Sequence, residues 1–331
     1  MRAQATIAVT AGDPCGIGPE VVLKALAEMP SARACLSGRQ ARFVVIGDRA
    51  VFEQTAGRLR VRLPRWELVD VGHRQTFVPG RPSRAAAAAS LAYLDAAMAL
   101  WRANRIQGLV TAPVTKWAIA RVEPGFVGQT EYLARSMDRR QVLMMFVSDR
   151  LRVALLTRHV PLRRVPRAIT PRLVEAAVRL TAEALQRQFQ IPHPRLVLCG
   201  LNPHAGEGSP MSEERRIMQP VLRKLRRAGI ACDGPVAADG LFANMDPSTP
   251  PPRRGRSGLR DYDVVVCGYH DQGLIPFKMA ARDRGCQLSV GLPLVRTSPD
   301  HGSALDIAGQ GRANPGSMRY ALRLAVKLAT N

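Results

Sequence analysis

An alternation constrains this chain more than any other feature. Short apolar runs rich in Val, Leu and Ile recur along it, separated by longer helix-type segments. The strand-type runs are TIAVT (6–10), ARFVVIGD (41–48), GLVTAP (108–113), LRVALLT (151–157), LVLCGL (196–201) and DVVVCG (263–268). Helical composition or amphipathic spacing marks 19–29, 84–103, 171–189, 212–229 and 317–329. Pro19 opens the first of these, and Ser212 and Gly229 bracket the fourth as N-cap and terminator. Runs that are apolar on both faces need helices covering both faces, so the pattern predicts an α/β fold with mainly parallel pairing. With 331 residues, two domains are expected rather than one. The stretch MDPSTPPPRRGRSGLR (245–260) breaks the pattern and reads as a flexible loop insertion.

Three of the six histidines follow strands of one kind: VALLTRH brings His159, LVLCGLNPH brings His204 and VVVCGYH brings His270. Ligands of open α/β sheets bind beyond the carboxyl ends of the strands, and parallel strands put those ends on one edge. Three imidazoles can then converge into a set suited to zinc or a similar divalent ion, with open positions for substrate. A lone strand-end histidine is more often a hydrogen-bonded structural residue. His73, after ELVDVGH, and His193, in IPHP, are left outside the set.

The neighbouring loops add chemistry. GYHDQGLIPFK (268–278) reads as a loop holding Asp271 beside His270, with Lys278 eight residues on. Asp271 and Asp239 (in AADG) are candidate acid–base groups, with turn or cap roles as the alternative. Lys116 and Lys278 follow strand-end loops in a chain with only five lysines. Arg296, at the end of a strand in LSVGLPLVRTSPDHGSALDIAG, could fork onto a phosphate or carboxylate, and the amides near Ser303 could hold a dinucleotide phosphate. The AGDPCGIG turn lacks G-x-G-x-x-G and a clearly placed acid after the next strand, so a Rossmann phosphate site is rejected there.

Composition excludes more than it assigns. The net charge is +22, but the arginines are spread along the chain, aromatics make up 5%, and no stacking motif appears; no nucleic-acid partner is expected. No run approaches ~20 apolar residues and no leader pattern opens the chain, so a cytoplasmic protein without a membrane partner is expected. The six cysteines lack CxxC spacing, and Cys199 and Cys267 read as small buried strand residues.

AVTAGDPCGIGPE, TAPVTK, GFVGQTEYLA, RVALLTRHVPLRRV, GLNPHAGEG, GYHDQGLIPFK and GLPLVRTSPDHGSALDIAG follow one another from residue 8 to 309. In this combination the chain resembles the PdxA-type 4-hydroxythreonine-4-phosphate dehydrogenase family. The resemblance implies an isocitrate-dehydrogenase-like fold of two α/β domains around a central cleft, divided as 1–128 plus 295–331 and 129–294. It implies a homodimer with its site at the subunit interface, NAD or NADP as cofactor, and a divalent metal (Zn, Mg or Co) on His159, His204 and His270. Gln129, Thr130, Lys278, Gln287 and Arg296 fall on substrate-binding positions, and Lys278, Asp239 and Asp271 on catalytic ones; cofactor-binding residues are not assigned. The expected reaction is NAD(P)-linked oxidation, with decarboxylation, of 4-phosphooxy-L-threonine in pyridoxal phosphate biosynthesis. In two places the chain departs from the family pattern: Gln129 stands where the family has histidine, and Gln287 where it has asparagine. Gln129 cannot become cationic. The departures motivate an alternative, a sister dehydrogenase acting on threonate or erythronate 4-phosphate or on a cis-dihydrodiol carboxylate.

Overall fold

The structure is a computed structural model that describes residues 5–29, 33–36, 39–63, 66–73, 75–243 and 261–331. The insertion expected at 245–260 lies outside the described residues. The chain forms two compact units, 1–142 with 286–331, and 143–285. The expected divisions at 128/129 and 294/295 fall 14 residues before the first of these boundaries and 9 after the second.

The first unit opens with β1 (Ala5–Thr10), α1 (Gly18–Ala27), β2 (Arg33–Leu36), β3 (Arg39–Gly47), α2 (Arg49–Leu59) and β4 (Glu67–Asp70). It continues through α3 (Arg84–Arg102), β5 (Gly108–Thr111), α4 (Lys116–Ile119) and α5 (Gln129–Ser136). The second unit holds β6 (Leu143–Ser148), β7 (Arg152–Leu155), α6 (Val165–Ala168), α7 (Pro171–Arg187), β8 (Leu196–Cys199), α8 (Gln219–Arg227), β9 (Cys232–Val236), α9 (Ala238–Ala243), β10 (Val264–Cys267) and α10 (His270–Ala281). The chain ends with β11 (Gly285–Val290), β12 (Val295–Pro299) and α11 (Gly316–Ala329).

In the first unit the strands run in the order β2-β3-β1-β5-β12-β11, with β4 also paired to β3. β1 pairs in parallel with both β3 and β5, and β12 in parallel with β5; β11 closes antiparallel against β12. In the second unit the order is β6-β7-β10-β8-β9, antiparallel only between β6 and β7. The α/β class and dominant parallel pairing therefore hold. No helix among the described residues is long and apolar enough to cross a membrane.

Local chemistry sets the elements. Ser83 caps α3 by accepting from Ala86 N at 3.0 Å, and Thr170 caps α7 by accepting from Leu173 N at 3.2 Å. The second unit's core gathers Phe146, Val153, Leu155, Val197, Val265 and Phe277. Full burial of a side chain such as Phe277 contributes roughly 1.5–3 kcal/mol. Cys199 and Cys267 lie buried on neighbouring strands of this core; burial, then the Cys199 thiol beside it, pushes the Cys267 thiol up.

One element departs from the sequence reading. HDQGLIPFK is not a loop: it forms most of helix α10, with Pro276 inside and Gly273 against the sheet. A Cβ on Gly273 would stand 2.5 Å from Val153 Cγ1, so glycine here permits close helix–strand packing. His270 is the first residue of this helix and Lys278 lies near its end, about 12 Å further along the axis at 1.5 Å per residue.

Candidate active site

In the second unit, β7 and β10 are parallel neighbours, and their carboxyl ends are stitched together. Leu156 N donates to Cys267 O at 2.8 Å, and the Thr157 hydroxyl donates to Gly268 O at 2.7 Å. His159 and His270, which follow these ends, meet edge to face with ring centroids 6.1 Å apart. Asp271 Oδ1 lies 2.6 Å from His270 Nδ1. With Nδ1 donating to that carboxylate, Nε2 keeps its lone pair, the tautomer a metal-binding imidazole needs.

His204 comes from β8, on the other side of β10. Gln272 links its loop to α10: Oε1 accepts from Gly268 N at 2.7 Å, and Nε2 donates to Gly200 O at 2.7 Å. The loop itself turns left-handed, with φ of 50° at His204, 54° at Ala205, 80° at Gly206, 47° at Glu207 and 74° at Gly208. The three non-glycine residues each carry a cost of roughly 1 kcal/mol or more. Glu214 offsets it: its Oε1 accepts from Leu201 N at 2.6 Å and Asn202 N at 2.8 Å, and its Oε2 accepts from Asn202 Nδ2 at 3.0 Å. Burial acts to raise the Glu214 pKa, but the donors of Asn202 and Leu201 outweigh it and the carboxyl sits below its ordinary value.

His204, Asp239 and Asp271 line one cavity of about 750 Å³, walled on its apolar side by Phe242, Ile275 and Met279. Asp239 lies on α9 and is exposed, as are Asp271 and Lys278. Among the described residues, no three or more His, Cys, Asp or Glu stand together as a ready metal-binding group. The donor chemistry nonetheless fits a borderline divalent ion: imidazole nitrogens, one of them oriented by a carboxylate, and no thiolate.

In the first unit, Arg296 on β12 is only 2% exposed. Its Nη1 donates to Gln287 Oε1 at 2.6 Å, Ser289 Oγ at 3.0 Å and Thr130 Oγ1 at 3.1 Å, and its Nη2 to Thr111 Oγ1. Gln287 is held in turn: Ser298 Oγ donates to its Oε1 at 2.7 Å, and its Nε2 donates to Ser289 Oγ at 3.0 Å. The Arg296 Nε is buried with no hydrogen-bond partner among the described residues. Burial pushes the guanidinium down to about 10, against Glu131 and the Cys286 thiol, so it stays cationic at neutral pH. Gln129 opens α5; its Nε2 donates to Ala112 O at 3.1 Å, and its buried Oε1 has no hydrogen-bond partner among the described residues.

The AGDPCGIG turn is built by close approach. Gly12 has φ 72°, and a Cβ there would stand 2.4 Å from Pro113 O. The buried Asp13 accepts from Cys15 N at 2.8 Å and from the Thr115 hydroxyl, whose Oγ1 in turn accepts from the Ser303 hydroxyl at 2.9 Å. The sequence reading found no clear acid after the next strand, yet Asp48 stands directly at the end of β3. Tyr93 donates to its Oδ2 at 2.6 Å and His73 N to its Oδ1 at 3.1 Å, so this carboxylate anchors a loop.

Thr111, Asn202, Glu214, Gln272, Ser289 and Ser298 complete these clusters and were not predicted. Strand and helix periodicity marks faces, whereas these contacts join positions up to 185 residues apart.

A family model described as pyridoxal phosphate biosynthetic protein PdxA matches residues 39–325. A 4-hydroxythreonine-4-phosphate dehydrogenase of Zymomonas mobilis is 38% identical over 343 aligned residues, covering 98% of this chain and 96% of the relative. The crystal structure of a 4-hydroxythreonine-4-phosphate dehydrogenase from Klebsiella pneumoniae matches with TM-score 0.81 and 30% identity, covering 98% of this chain and all of that one. A terephthalate 1,2-cis-dihydrodiol dehydrogenase from Burkholderia xenovorans matches with TM-score 0.63 and 34% identity, covering 98% of each chain.

Proposed function

The chain belongs to the family of pyridoxal phosphate biosynthetic protein PdxA, and on that premise we propose that it is a 4-hydroxythreonine-4-phosphate dehydrogenase. The reaction is NAD(P)-linked, metal-dependent oxidation of 4-phosphooxy-L-threonine with loss of CO2. The observation that carries this reading is the buried Arg296 guanidinium. Its hydrogen-bond partners are neutral oxygens and the carboxylate of Glu131 acts on it only through space, which supports an anionic substrate as its direct partner.

His159, His204 and His270 would hold the divalent ion, zinc, magnesium or cobalt. When bound, the ion supplies charge that acidifies a substrate hydroxyl, and NAD or NADP supplies the hydride acceptor. The chain's own residues do the rest. Asp271 keeps the His270 ring in one tautomer. Asp239, on the cavity wall with His204, is a carboxylate able to take the hydroxyl proton. Arg296, steadied by Gln287 and Ser289, binds the substrate anion together with the Thr130 hydroxyl and the Gln129 amide. Lys278 adds a second positive charge. The working form is a homodimer with its site at the subunit interface; Ile275 and Met279, exposed at 59% and 72% on α10, supply apolar surface for such a contact.

A second reading rests on Gln129. With Nε2 tied to Ala112 O, it offers an acceptor oxygen where a phosphate would favour a donor. An acceptor there pairs with a substrate hydroxyl, so a sister substrate with a different hydroxyl arrangement, threonate or erythronate 4-phosphate or a cis-dihydrodiol carboxylate, is the alternative. NADH or NADPH formation, followed across these substrates with added zinc, magnesium or cobalt, separates the readings. Strong preference for 4-phosphooxy-L-threonine eliminates the second. His270→Ala is expected to abolish both metal binding and turnover, and retained turnover sinks the assignment.

A further inference from the structure

We infer that Glu214 is a positioning residue for His204, holding the 201–208 loop in the left-handed turn that presents this imidazole to a divalent ion. The inference rests on the reading of His204 as a ligand. The His204 ring cannot be aimed by packing, because it is 67% exposed and the nearest carboxylate oxygen, of Glu207, lies 3.7 Å away. Its direction is set by the backbone beneath it. That backbone runs through five consecutive residues with positive φ, three of them not glycine. Such a run persists only where the surroundings over-determine it, and it concentrates at functional sites.

Glu214 is what over-determines it here. Its buried carboxylate gathers the Leu201 and Asn202 amides on one oxygen and the Asn202 side chain on the other. Asn202 Nδ2 also donates to Glu213 Oε2 at 2.8 Å, so two adjacent acids grip one asparagine two residues before His204. The fit is tight on both sides. A Cβ on Gly206 would meet Glu214 Oε2 at 2.7 Å, and one on Gly200 would meet Ala205 Cβ at 2.9 Å. Glu214 itself opens a widened helical turn, Glu214–Met218, ahead of α8, where Pro220 has no N–H to return to Arg216. Widened turns of this kind recur at functional sites. The sequence shows Ser212-Glu213-Glu214 as a helix start with acids in its first turn, yet the two carboxylates are spent on the histidine loop.

The test is Co2+ binding to the full-length protein, read by calorimetry and by the visible spectrum of the bound ion, with thermal melting as the folding control. His204→Ala is expected to weaken binding at least tenfold. Glu214→Ala is expected to weaken it about 10–100-fold, as loss of a residue that orients a ligand does, and to change the spectrum. Glu214→Gln keeps an acceptor oxygen for the two amides and should restore most of the affinity. Should Glu214→Ala fail to fold, Asn202→Ala removes only the side-chain bridge and is expected to weaken binding about tenfold. Wild-type affinity in Glu214→Ala, or in Asn202→Ala if the former does not fold, beside a weakened His204→Ala, overturns the inference alone. Glu214→Gln binding as weakly as Glu214→Ala overturns acceptor geometry as the cause. Unchanged binding in His204→Ala overturns the ligand reading and this inference with it.

Discussion

Arg296 in the first unit is sealed among side-chain oxygens on β5, α5 and β11, whereas His159, His204 and His270 in the second unit are exposed on strand ends and on the first turn of a helix. The Arg296 guanidinium is rigid, because burial and hydrogen bonds fix it. The three histidines proposed as metal ligands are exposed instead, with the His270 ring oriented by Asp271 and the His204 ring directed by its backbone. Burying a cation whose hydrogen-bond partners are all neutral is costly even with Glu131 acting through space, and that cost supports a ligand role. Exposed imidazoles cost little, and there the strain of the 204–208 backbone carries the same message.

The comparison breaks most sharply at Arg296. Arg296→Met preserves volume and leaves Gln287, Ser289, Ser298 and Thr130 able to bond one another. Its expected effect is a loss in kcat/KM of roughly a thousandfold, about 4 kcal/mol of substrate and transition-state binding. Folding stability should change by less than about 1.5 kcal/mol. Steady-state kinetics beside urea unfolding measure both; a stability loss above about 3 kcal/mol would make the guanidinium a structural rivet instead.

Gly206→Ala tests the other side. A methyl group at φ 80°, facing the Glu214 carboxylate at 2.7 Å, should destabilise the fold by about 2–3 kcal/mol. A variant that unfolds at the wild-type urea midpoint would mean that the turn is slack. Next in size is Gln287→Ala, which frees the guanidinium it orients. KM is expected to rise about tenfold, near 1.4 kcal/mol, with kcat little changed. An equal fall in kcat would move Gln287 from binding to the reacting centre.

The smallest effect is acid sensitivity. The Glu214 carboxyl titrates below its ordinary value of 4.5 in the fold, so the unfolded chain binds its proton first as pH falls. Its contribution to stability is complete above pH 4.5 and fades as pH drops toward the folded value. Glu214→Gln should therefore flatten the acid limb of urea midpoints below pH 4.5; a wild-type slope would deny the carboxylate this role.

The β/α alternation was legible because burial on both faces leaves continuous apolar runs, as in VVVC and LVLC. LMMFVS (143–148) is equally apolar but unflanked by breakers, and CDGPV (232–236) contains both breakers within the strand. α10 reads as a loop by sequence because Gly273 and Pro276 are helix breakers by propensity. Close packing against Val153 explains the glycine, a tertiary reason that no local rule contains. The histidines were legible as strand-end residues; Arg296, expected at a strand end, is instead the second residue of β12, inside the sheet. Glu214 was not legible, since its carboxylate bonds backbone groups 12 and 13 residues away across the sheet edge.

The paired thiols of Cys199 and Cys267 have a practical consequence. Burial raises the pKa of the Cys267 thiol, holds it protonated and keeps it from solvent, so it is inert toward electrophiles in the native state. Cys286, on β11 of the other unit, is shielded in the same way. Each unit thus carries its own silent reporter, and the rate at which an alkylating reagent marks Cys267 or Cys286 becomes a clock for the opening of the unit that holds it.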